Sequence, residues 1–487
     1  MLFCLGALAL VVNAQEADLS THRSPVIRYA LLDGSCFVDD CLICGRPTIL
    51  QPLRGSFDLV LVQATPPFSR YQVRNIDFTA SPGFAGQVRI SGQGTYERME
   101  EFAVMQSMEL ETVVQDAFTN RIAFFTNSDS LVQRPFPLIE ISLTQTNGTW
   151  LQTYSMHLLA APLREVWFST TQPLTSTNGP GPIQQISPGD LLSSHGRVVR
   201  RNHDLVMRLG VMPLVPDLGL DAMHVTRRGE ILFSIPQSVW SETLGQIQHG
   251  DLLSARGRIV KRNQELLAAF GLPAARPDAG LDAVQVMPDG EILFSIQSNV
   301  TVSTSLTLSR GDVLSDRGRV FRTNRELLAR FHPAVTNRDY GLDTLHVRPS
   351  GEIWFSVEEG FTDSVLGTVR PGDLLSSLGY RVFSNAALVA GFAPSDPSQD
   401  YGLDACYLIT DTKPPAWPPC LLKLLPDRAS GQVRVEWDGE GEVFQLQRAQ
   451  SPSGPWAPCS AIVPDLSFDD LCDPADSACH FYRVQQW

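Results

Sequence analysis

Two aspartates spaced four residues apart recur along the 487-residue chain in the motif Asp-x-Gly-Leu-Asp. The second aspartate of each copy is Asp221, Asp282, Asp343 or Asp404, and successive copies lie 61 residues apart, as from Asp221 to Asp282. Carboxylates are preferred ligands of Ca²⁺, which takes about six to eight oxygens. If the four strands that begin here line one axis, these aspartates predict a Ca²⁺ site.

The same motif has a structural interpretation. An aspartate just before a glycine accepts hydrogen bonds from the backbone of its own turn, and a residue that recurs in every repeat is usually structural. We therefore favour a structural role for the repeated aspartates and keep the metal site as the alternative.

Motifs for catalysis are scarce in this chain. Gly-x-Ser-x-Gly, His-Glu-x-x-His and a glycine-rich phosphate loop are all missing from the sequence. His224 and His346 share a repeat column with Gln285 and Tyr407, so that column does not require an imidazole. Paired acids for glycoside hydrolysis stay open, because spacing in sequence does not give the distance between two carboxyl groups.

Arg310-Gly311-Asp312 spells an integrin-type tripeptide. The same column reads Pro-Gly-Asp or His-Gly-Asp in the other repeats, so we interpret it as a repeat turn in which Arg310 is incidental.

The motif belongs to a four-unit repeat that runs over residues 164–410 and determines the expected fold class. Each unit contains a Glu-(aliphatic)-(Leu/Trp)-Phe-Ser strand, a variable polar stretch and a Gly-Asp-(Leu/Val)-Leu-Ser turn. A second apolar run, an Asn and a Leu-rich segment follow. That segment fits a short helix with Asn263 as N-cap, or a strand.

The two ends of the repeat region predict closure. Three times the Leu-Asp strand and the next Glu-containing strand form a hairpin, as across Val286–Glu291. The fourth hairpin is split between Glu165–Ser169 at the start and Leu403–Ile409 at the end. A ring that pairs these two segments has no free sheet edge, whereas an open solenoid leaves two. We predict a four-bladed β-propeller closed by both ends.

Asp282-Ala283-Val284, Gly290 and Phe294 resemble the blade start of hemopexin-type four-bladed propellers. The resemblance is partial, because the units are longer here and Phe294 is followed by Ser-Ile instead of the family's Lys-Gly. It implies a propeller whose corresponding strands border an ion-bearing channel, and haem binding is not carried over.

Residues 27–162 contain alternating segments such as Ser56–Gln63 and Leu138–Thr144, which predict about eight strands in an antiparallel β-sandwich or barrel. Tyr71, Phe78 and Tyr96 are expected in its core.

Residues 411–420 read as a Pro-rich linker. Residues 421–487, with Trp437 in an early strand and a Tyr in a late one, resemble a fibronectin type III-like sandwich. The expected fold class is therefore all-β.

The start of the chain, residues 1–14, is apolar and looks like a secretory signal peptide. Later runs fall short of the roughly 18 apolar residues of a membrane span. The net charge of −14 argues against nucleic acid as a partner.

The cysteines cluster near both ends of the chain. In an exported chain this arrangement favours disulfides over a zinc knuckle at Cys41 and Cys44. Cys406 lies in an otherwise apolar repeat column, so it is expected as a buried thiol.

These features together predict a secreted, extracellular or cell-surface protein without a membrane span. The layout resembles that of secreted bacterial β-repeat proteins. We expect a binding or scaffold protein that recognises extracellular polysaccharide or protein through variable loops such as Pro236–His249 and Gln297–Arg310. The alternative is an extracellular glycan hydrolase with acids at the propeller mouth.

Overall fold

The computed structural model describes residues 26–487 except 42, 46–47, 84–85, 101–103, 117, 128–129, 133, 135, 179–183, 213–216, 274–275, 412–416, 428–431 and 472–479. This part of the chain is all-β, as the sequence predicts, with short helices only in the repeats. The predicted signal peptide, Cys472, Cys479 and the middle of the Pro-rich linker lie outside it. Within the described ranges, none of the helices is both long and apolar enough to cross a membrane.

Residues 26–162 form one antiparallel sheet of ten strands, two more than expected. Strand β10 pairs with both β2 and β9, so the sheet closes on itself. Along β6, buried and exposed side chains alternate, because successive residues of a strand face opposite sides of the sheet. Tyr71, Phe78 and Tyr96 lie in the core, which confirms their predicted role. The strands are β1 (Val26–Leu31), β2 (Cys36–Asp40), β3 (Ile49–Thr65), β4 (Phe68–Gly83), β5 (Gly86–Glu100), β6 (Val104–Gln115), β7 (Asn120–Thr126), β8 (Ser130–Leu131), β9 (Ile139–Gln145) and β10 (Thr153–Pro162).

The described residues of the repeat region form four four-stranded antiparallel sheets and four two-stranded hairpins. Its strands are β11 (Glu165–Phe168), β12 (Leu174–Ser176), β13 (Gln184–Ile186), β14 (Leu191–Ser193), β15 (Arg197–Arg200), β16 (Met223–Thr226), β17 (Glu230–Phe233), β18 (Val239–Ser241), β19 (Gly245–Ile247), β20 (Leu252–Ser254), β21 (Arg258–Lys261), β22 (Val284–Val286), β23 (Ile292–Phe294), β24 (Val300–Ser303), β25 (Leu306–Leu308), β26 (Val313–Ser315), β27 (Arg319–Arg322), β28 (Thr344–Val347), β29 (Ile353–Ser356), β30 (Phe361–Asp363), β31 (Gly367–Val369), β32 (Leu374–Ser376), β33 (Tyr380–Phe383) and β34 (Cys406–Ile409).

We number the four larger sheets in chain order. Sheet 1 contains β34, β11, β14 and β15, and sheet 2 contains β16, β17, β20 and β21. Sheet 3 contains β22, β23, β26 and β27, and sheet 4 contains β28, β29, β32 and β33. In sheet 1 the two ends of the repeat region pair with each other, with Val166 opposite Leu408 and Trp167 opposite Tyr407. The inner strands β34, β16, β22 and β28 contact one another in cyclic order.

The Leu-rich segment of each repeat is a short helix. The helices are α1 (Asn202–Val206), α2 (Asn263–Leu266), α3 (Asn324–Leu327) and α4 (Asn385–Val389), and 3₁₀ turns span Met207–Leu209, Arg227–Gly229, Ala268–Phe270 and Ala390–Phe392. The predicted N-cap is wrong, because Asn263 is the first helical residue and Arg262 precedes the helix. Asn263 instead fastens the Asp-x-Gly-Leu-Asp turn, since its Nδ2 donates to the Gly280 carbonyl at 3.0 Å and its Oδ1 accepts from the Ala279 amide at 3.1 Å.

The last part of the chain forms two three-stranded antiparallel sheets around a small core that includes Trp437 and Phe444. The strands are β35 (Leu422–Asp427), β36 (Gln432–Trp437), β37 (Phe444–Ala449), β38 (Ala457–Pro458), β39 (Ser467–Leu471) and β40 (Phe481–Gln486). These sheets lie against sheet 1, where the Tyr407 hydroxyl donates to Glu442 and Arg197 donates to the Ile462 carbonyl.

Cysteine chemistry agrees in part with the sequence-based expectation. Cys41 and Cys44 form a disulfide, which confirms that bond over a zinc site. Cys406 is a buried thiol, as its apolar repeat column predicts. Cys36 and Cys420 form no disulfide within the described part of the chain.

Candidate metal centre

The second aspartates of the four motifs stand just before the inner strands, at one end of the ring of sheets. The backbone fixes this position, because the Asp221 amide donates to the Ser234 carbonyl at 3.2 Å and the Asp404 amide donates to the Ser169 carbonyl at 3.3 Å. Asp221 and Asp282 are only 9% and 6% exposed, although carboxylates are seldom buried without a partner.

The structure brings all four predicted residues close enough to repel one another. Burial raises the pKa of Asp221 to about 7, and Glu358 adds a smaller upward contribution. Burial also raises the pKa of Asp282, Asp343 and Asp404 well above the usual range, and neighbouring carboxylates of the same set add to each shift. Such coupled shifts arise where acids are crowded in a poorly solvated place.

A fifth acid, which the sequence analysis missed, completes the cluster. One carboxylate oxygen each of Asp282, Asp343 and Glu358 lie within 4.8 Å of one another. Glu358 stands two residues after Ser356, and the matching residues of the other sheets are Thr171, Pro236 and Gln297. Because this column changes from repeat to repeat, a search for recurring residues could not find it.

Gln297 and Glu358 both reach back towards the motif aspartates. Gln297 Nε2 donates to Asp221 Oδ2 at 2.5 Å, and one oxygen of Glu358 lies within 4.8 Å of an oxygen of Asp282. The glycine of the motif makes room for these side chains. A Cβ at Gly341 would lie 2.3 Å from Glu358 Cδ, and its φ of +74° would strain any other residue.

Arginine neutralises one side of the cluster. Arg310 donates from one terminal nitrogen to Glu358 and from the other to Glu359, so this residue is not incidental as the repeat column suggested. The remaining oxygen of Glu358, Oε1, is buried and accepts no hydrogen bond from the described residues. The cluster therefore retains oxygen-donor capacity that the protein itself does not use.

The first aspartates of the motifs have a different role. Asp217 Oδ1 accepts from the Gly219 amide at 2.7 Å and its Oδ2 accepts from the Gly189 amide at 3.0 Å. The same pair of bonds occurs at Asp339 and Asp400. The favoured structural interpretation thus holds for the first aspartates as turn caps, and it does not account for the side chains of Asp221, Asp282, Asp343 and Asp404.

The donor set of this cluster fits Ca²⁺. All its ligand atoms are oxygens, and oxygens bound to one Ca²⁺ at about 2.3–2.6 Å lie at most about 5 Å apart. The spread of 4.8 Å between Asp282, Asp343 and Glu358 satisfies that limit. A divalent cation would also offset the repulsion between these carboxylates. The cluster can therefore hold a hard cation.

Beyond the aspartates, the inner strands carry the mixed polar column noted in the sequence. The rings of His224 and Tyr407 make an edge contact at 5.8 Å. Gln285 bridges to the neighbouring inner strand, because its amide donates to the Val347 carbonyl at 3.1 Å and accepts from the Val347 amide at 2.5 Å. These contacts join inner strands to one another, which is a structural role.

Comparisons with known proteins do not assign this chain to a family. No family model matches it, and no curated protein matches it either. Among solved structures, the extracellular domain of a hybrid two-component system from B. thetaiotaomicron is similar over 90% of this chain and 76% of that chain, with 8% identity and a TM-score of 0.21. A TM-score this low carries no argument about fold or function.

Proposed function

We propose that this chain is a secreted or cell-surface binding or scaffold protein whose repeat region is a four-bladed propeller with Ca²⁺ at its centre. Its partner in this proposal is an extracellular polysaccharide or protein, bound at the end of the ring where the aspartates lie. The observation that carries the proposal is the convergence of Asp221, Asp282, Asp343, Asp404 and Glu358, which together come from all four sheets.

The propeller assignment is supported by the cyclic contacts of the four sheets and by the pairing of β11 with β34. It agrees with the resemblance to hemopexin-type propellers at Asp282–Val284. For residues 421–487 we propose a fibronectin type III-like sandwich. That assignment is supported by the two facing antiparallel sheets and by Trp437, which packs on Phe444 at a ring distance of 5.9 Å.

Chain direction supports this position of the proposed binding face. Each variable stretch leaves its sheet just after the serine that pairs with a motif aspartate, as Pro236 follows Ser234, so it starts at the aspartate end. These stretches form hairpins, and the one in Pro236–His249 is fastened to the preceding repeat because Ser241 Oγ donates to the Leu209 carbonyl at 2.5 Å. The hairpins expose apolar side chains, with Trp240 58% exposed within β18 and Val365 75% exposed at a tip. Rigid hairpins with exposed tips suit recognition.

A glycan array tests this function when it is run on the full chain with Ca²⁺ and again with a chelator. We expect binding that the chelator abolishes and that Asp343→Asn weakens. Asp339→Asn serves as the matched control, because Asp339 caps a turn of the same motif without joining the cluster. Binding that is indifferent to the chelator and to Asp343→Asn contradicts the proposal.

A glycan hydrolase is the second candidate, and one observation favours it. Asp221 has a pKa of about 7 beside other carboxylates, which is the property of a general acid in glycoside hydrolysis. A reducing-sugar assay on the glycans that bind separates the two functions. Sugar release that Asp221→Asn abolishes establishes the hydrolase, whereas binding without release supports the binding protein.

A further inference from the structure

A cavity separate from the aspartate cluster lies where the ten-stranded sheet, sheet 1, helix α4 and the C-terminal sheets meet. We call it the junction cavity. Its volume is about 1020 Å³, and its walls include Arg28, Arg54, Arg164, Ala386 and Gln445. Ligand sites favour such junctions and commonly measure about 300–1,000 Å³.

One wall of the junction cavity is rich in N–H donors. It carries four half-buried arginines, each held by one acid, which are Arg28 with Asp58, Arg54 with Asp33, Arg164 with Asp411 and Arg197 with Glu165. The acids fix the guanidinium groups but use only part of their donors. Arg164 bonds Asp411 through Nε, and Arg54 Nη1 is buried without a hydrogen-bond partner among the described residues. Guanidinium groups fixed in this way suit carboxylate and hydroxyl oxygens.

Another wall is helix α4, whose sequence departs from the repeat. Its second and third residues are Ala386 and Ala387, both of which line the cavity. The second and third residues of the other three helices, α1, α2 and α3, are His203-Asp204, Gln264-Glu265 and Arg325-Glu326. The repeat therefore replaces two polar or charged side chains by methyl groups only where its helix faces the junction cavity. The result is an apolar surface in this part of the cavity lining.

The strands that carry Gln445 and Arg54 are each paired on both sides, whereas β15, β33 and β38 are sheet edges that also contribute lining residues. Strand β37, which carries Gln445, pairs with β38 and β40, and β3, which carries Arg54, pairs with β2 and β4. Peptides commonly bind through main-chain hydrogen bonds to a strand edge, whereas Arg54 and Gln445 offer side-chain donors to this cavity. A saccharide offers many oxygens to such donors and C–H faces to an apolar wall.

We propose that the junction cavity binds a carboxylate-bearing saccharide, with the arginine and glutamine N–H groups donating to its oxygens and the α4 alanines contacting its ring faces. This site is separate from the aspartate cluster and does not need a cation.

Binding of short galacturonic acid oligomers to the full chain by calorimetry tests the site, with glucose oligomers of the same length as the neutral comparison. We expect saturable binding of the acidic oligomer that a chelator leaves unchanged. Ala386→Trp fills the cavity and should weaken binding by about tenfold or more. Arg325→Trp is the matched control, because it places the same side chain at the same helical position of α3, away from the cavity. It should bind like the wild type.

If Ala386→Trp does not fold, Gln445→Ala gives an independent check. Gln445→Ala should weaken binding of the acidic oligomer severalfold. Three results overturn the proposal, namely no saturable binding of the acidic oligomer, equal loss in both Trp variants, or tighter binding of an oligoglutamate peptide. Asp343→Asn should leave this binding intact, so failure here and failure of the Ca²⁺-dependent function are distinguishable.

Discussion

The Ser356 hydroxyl donates to the Leu403 carbonyl oxygen at 3.1 Å, and this bond links sheet 4 to sheet 1. The three preceding steps around the ring have the same contact, from Ser169 to Leu220, Ser234 to Leu281 and Ser295 to Leu342. All four serines are fully buried. Because the last step matches the others, the four sheets are joined in a cycle and not in a row.

The cyclic arrangement predicts that replacing equivalent serines lowers the free energy of unfolding by similar amounts. Ser356→Ala and Ser295→Ala should each lower the free energy of unfolding by about 1–3 kcal/mol, because a buried leucine carbonyl then loses its donor. Urea unfolding of both variants measures the loss. An effect at Ser295 with almost none at Ser356 would mean that the last step is frayed and the ring open.

Ca²⁺ should stabilise the folded chain through the aspartate cluster. At a free concentration of about 100 times its Kd, a ligand that binds only the folded state adds about 2.7 kcal/mol. Thermal unfolding with Ca²⁺ and with a chelator measures this gain. Asp343→Asn should remove the stabilisation by Ca²⁺. Asp339→Asn should lower the stability of the fold but should still be stabilised by Ca²⁺. A melting temperature that the chelator does not move rules out the metal site.

Stability without a cation should fall as pH rises through the window set by Asp221. Its pKa is about 7 in the folded protein and 3.8 as the ordinary value. Between these values the folded state keeps a proton that the unfolded state has released, so rising pH favours unfolding, and the effect is complete above the folded pKa. Asp221→Asn should reduce this slope in chelator-treated protein, as followed by melting temperature against pH. A variant with the slope of the wild type would show that Asp221 does not titrate in this way.

Arg310 should compete with the cation for Glu358. Arg310→Gln removes a positive charge beside the cluster and frees a carboxylate oxygen, so Ca²⁺ affinity should rise by about fivefold or more. Calorimetric titration of Ca²⁺ measures it. Arg338→Gln is the control, because Arg338 pairs with Glu359 and not with Glu358. Weaker binding in Arg310→Gln would instead identify Arg310 as the residue that positions Glu358.

Much of the fold was predictable because its signals are periodic. Alternation placed Tyr71, Phe78 and Tyr96 in the core of the first sheet, and the split hairpin anticipated the pairing of Val166 with Leu408. Glu358, Gln297 and Arg310 escaped prediction because their repeat columns hold other residues elsewhere. The junction cavity escaped for another reason, since Arg54, Ala386 and Gln445 come from parts of the chain that share no motif.

The sequence by itself determined the local chemistry of each repeat. Asp217 caps the turn at Gly219 because its acceptor and that donor are two residues apart, a distance that the chain fixes. Only the tertiary structure decided what Asp221, Asp282, Asp343 and Asp404 share. Their mutual distances depend on how four separate sheets are arranged, and that arrangement follows from packing and hydrogen bonds between repeats. The same physics placed Glu358 among them and left its Oε1 without a partner among the described residues.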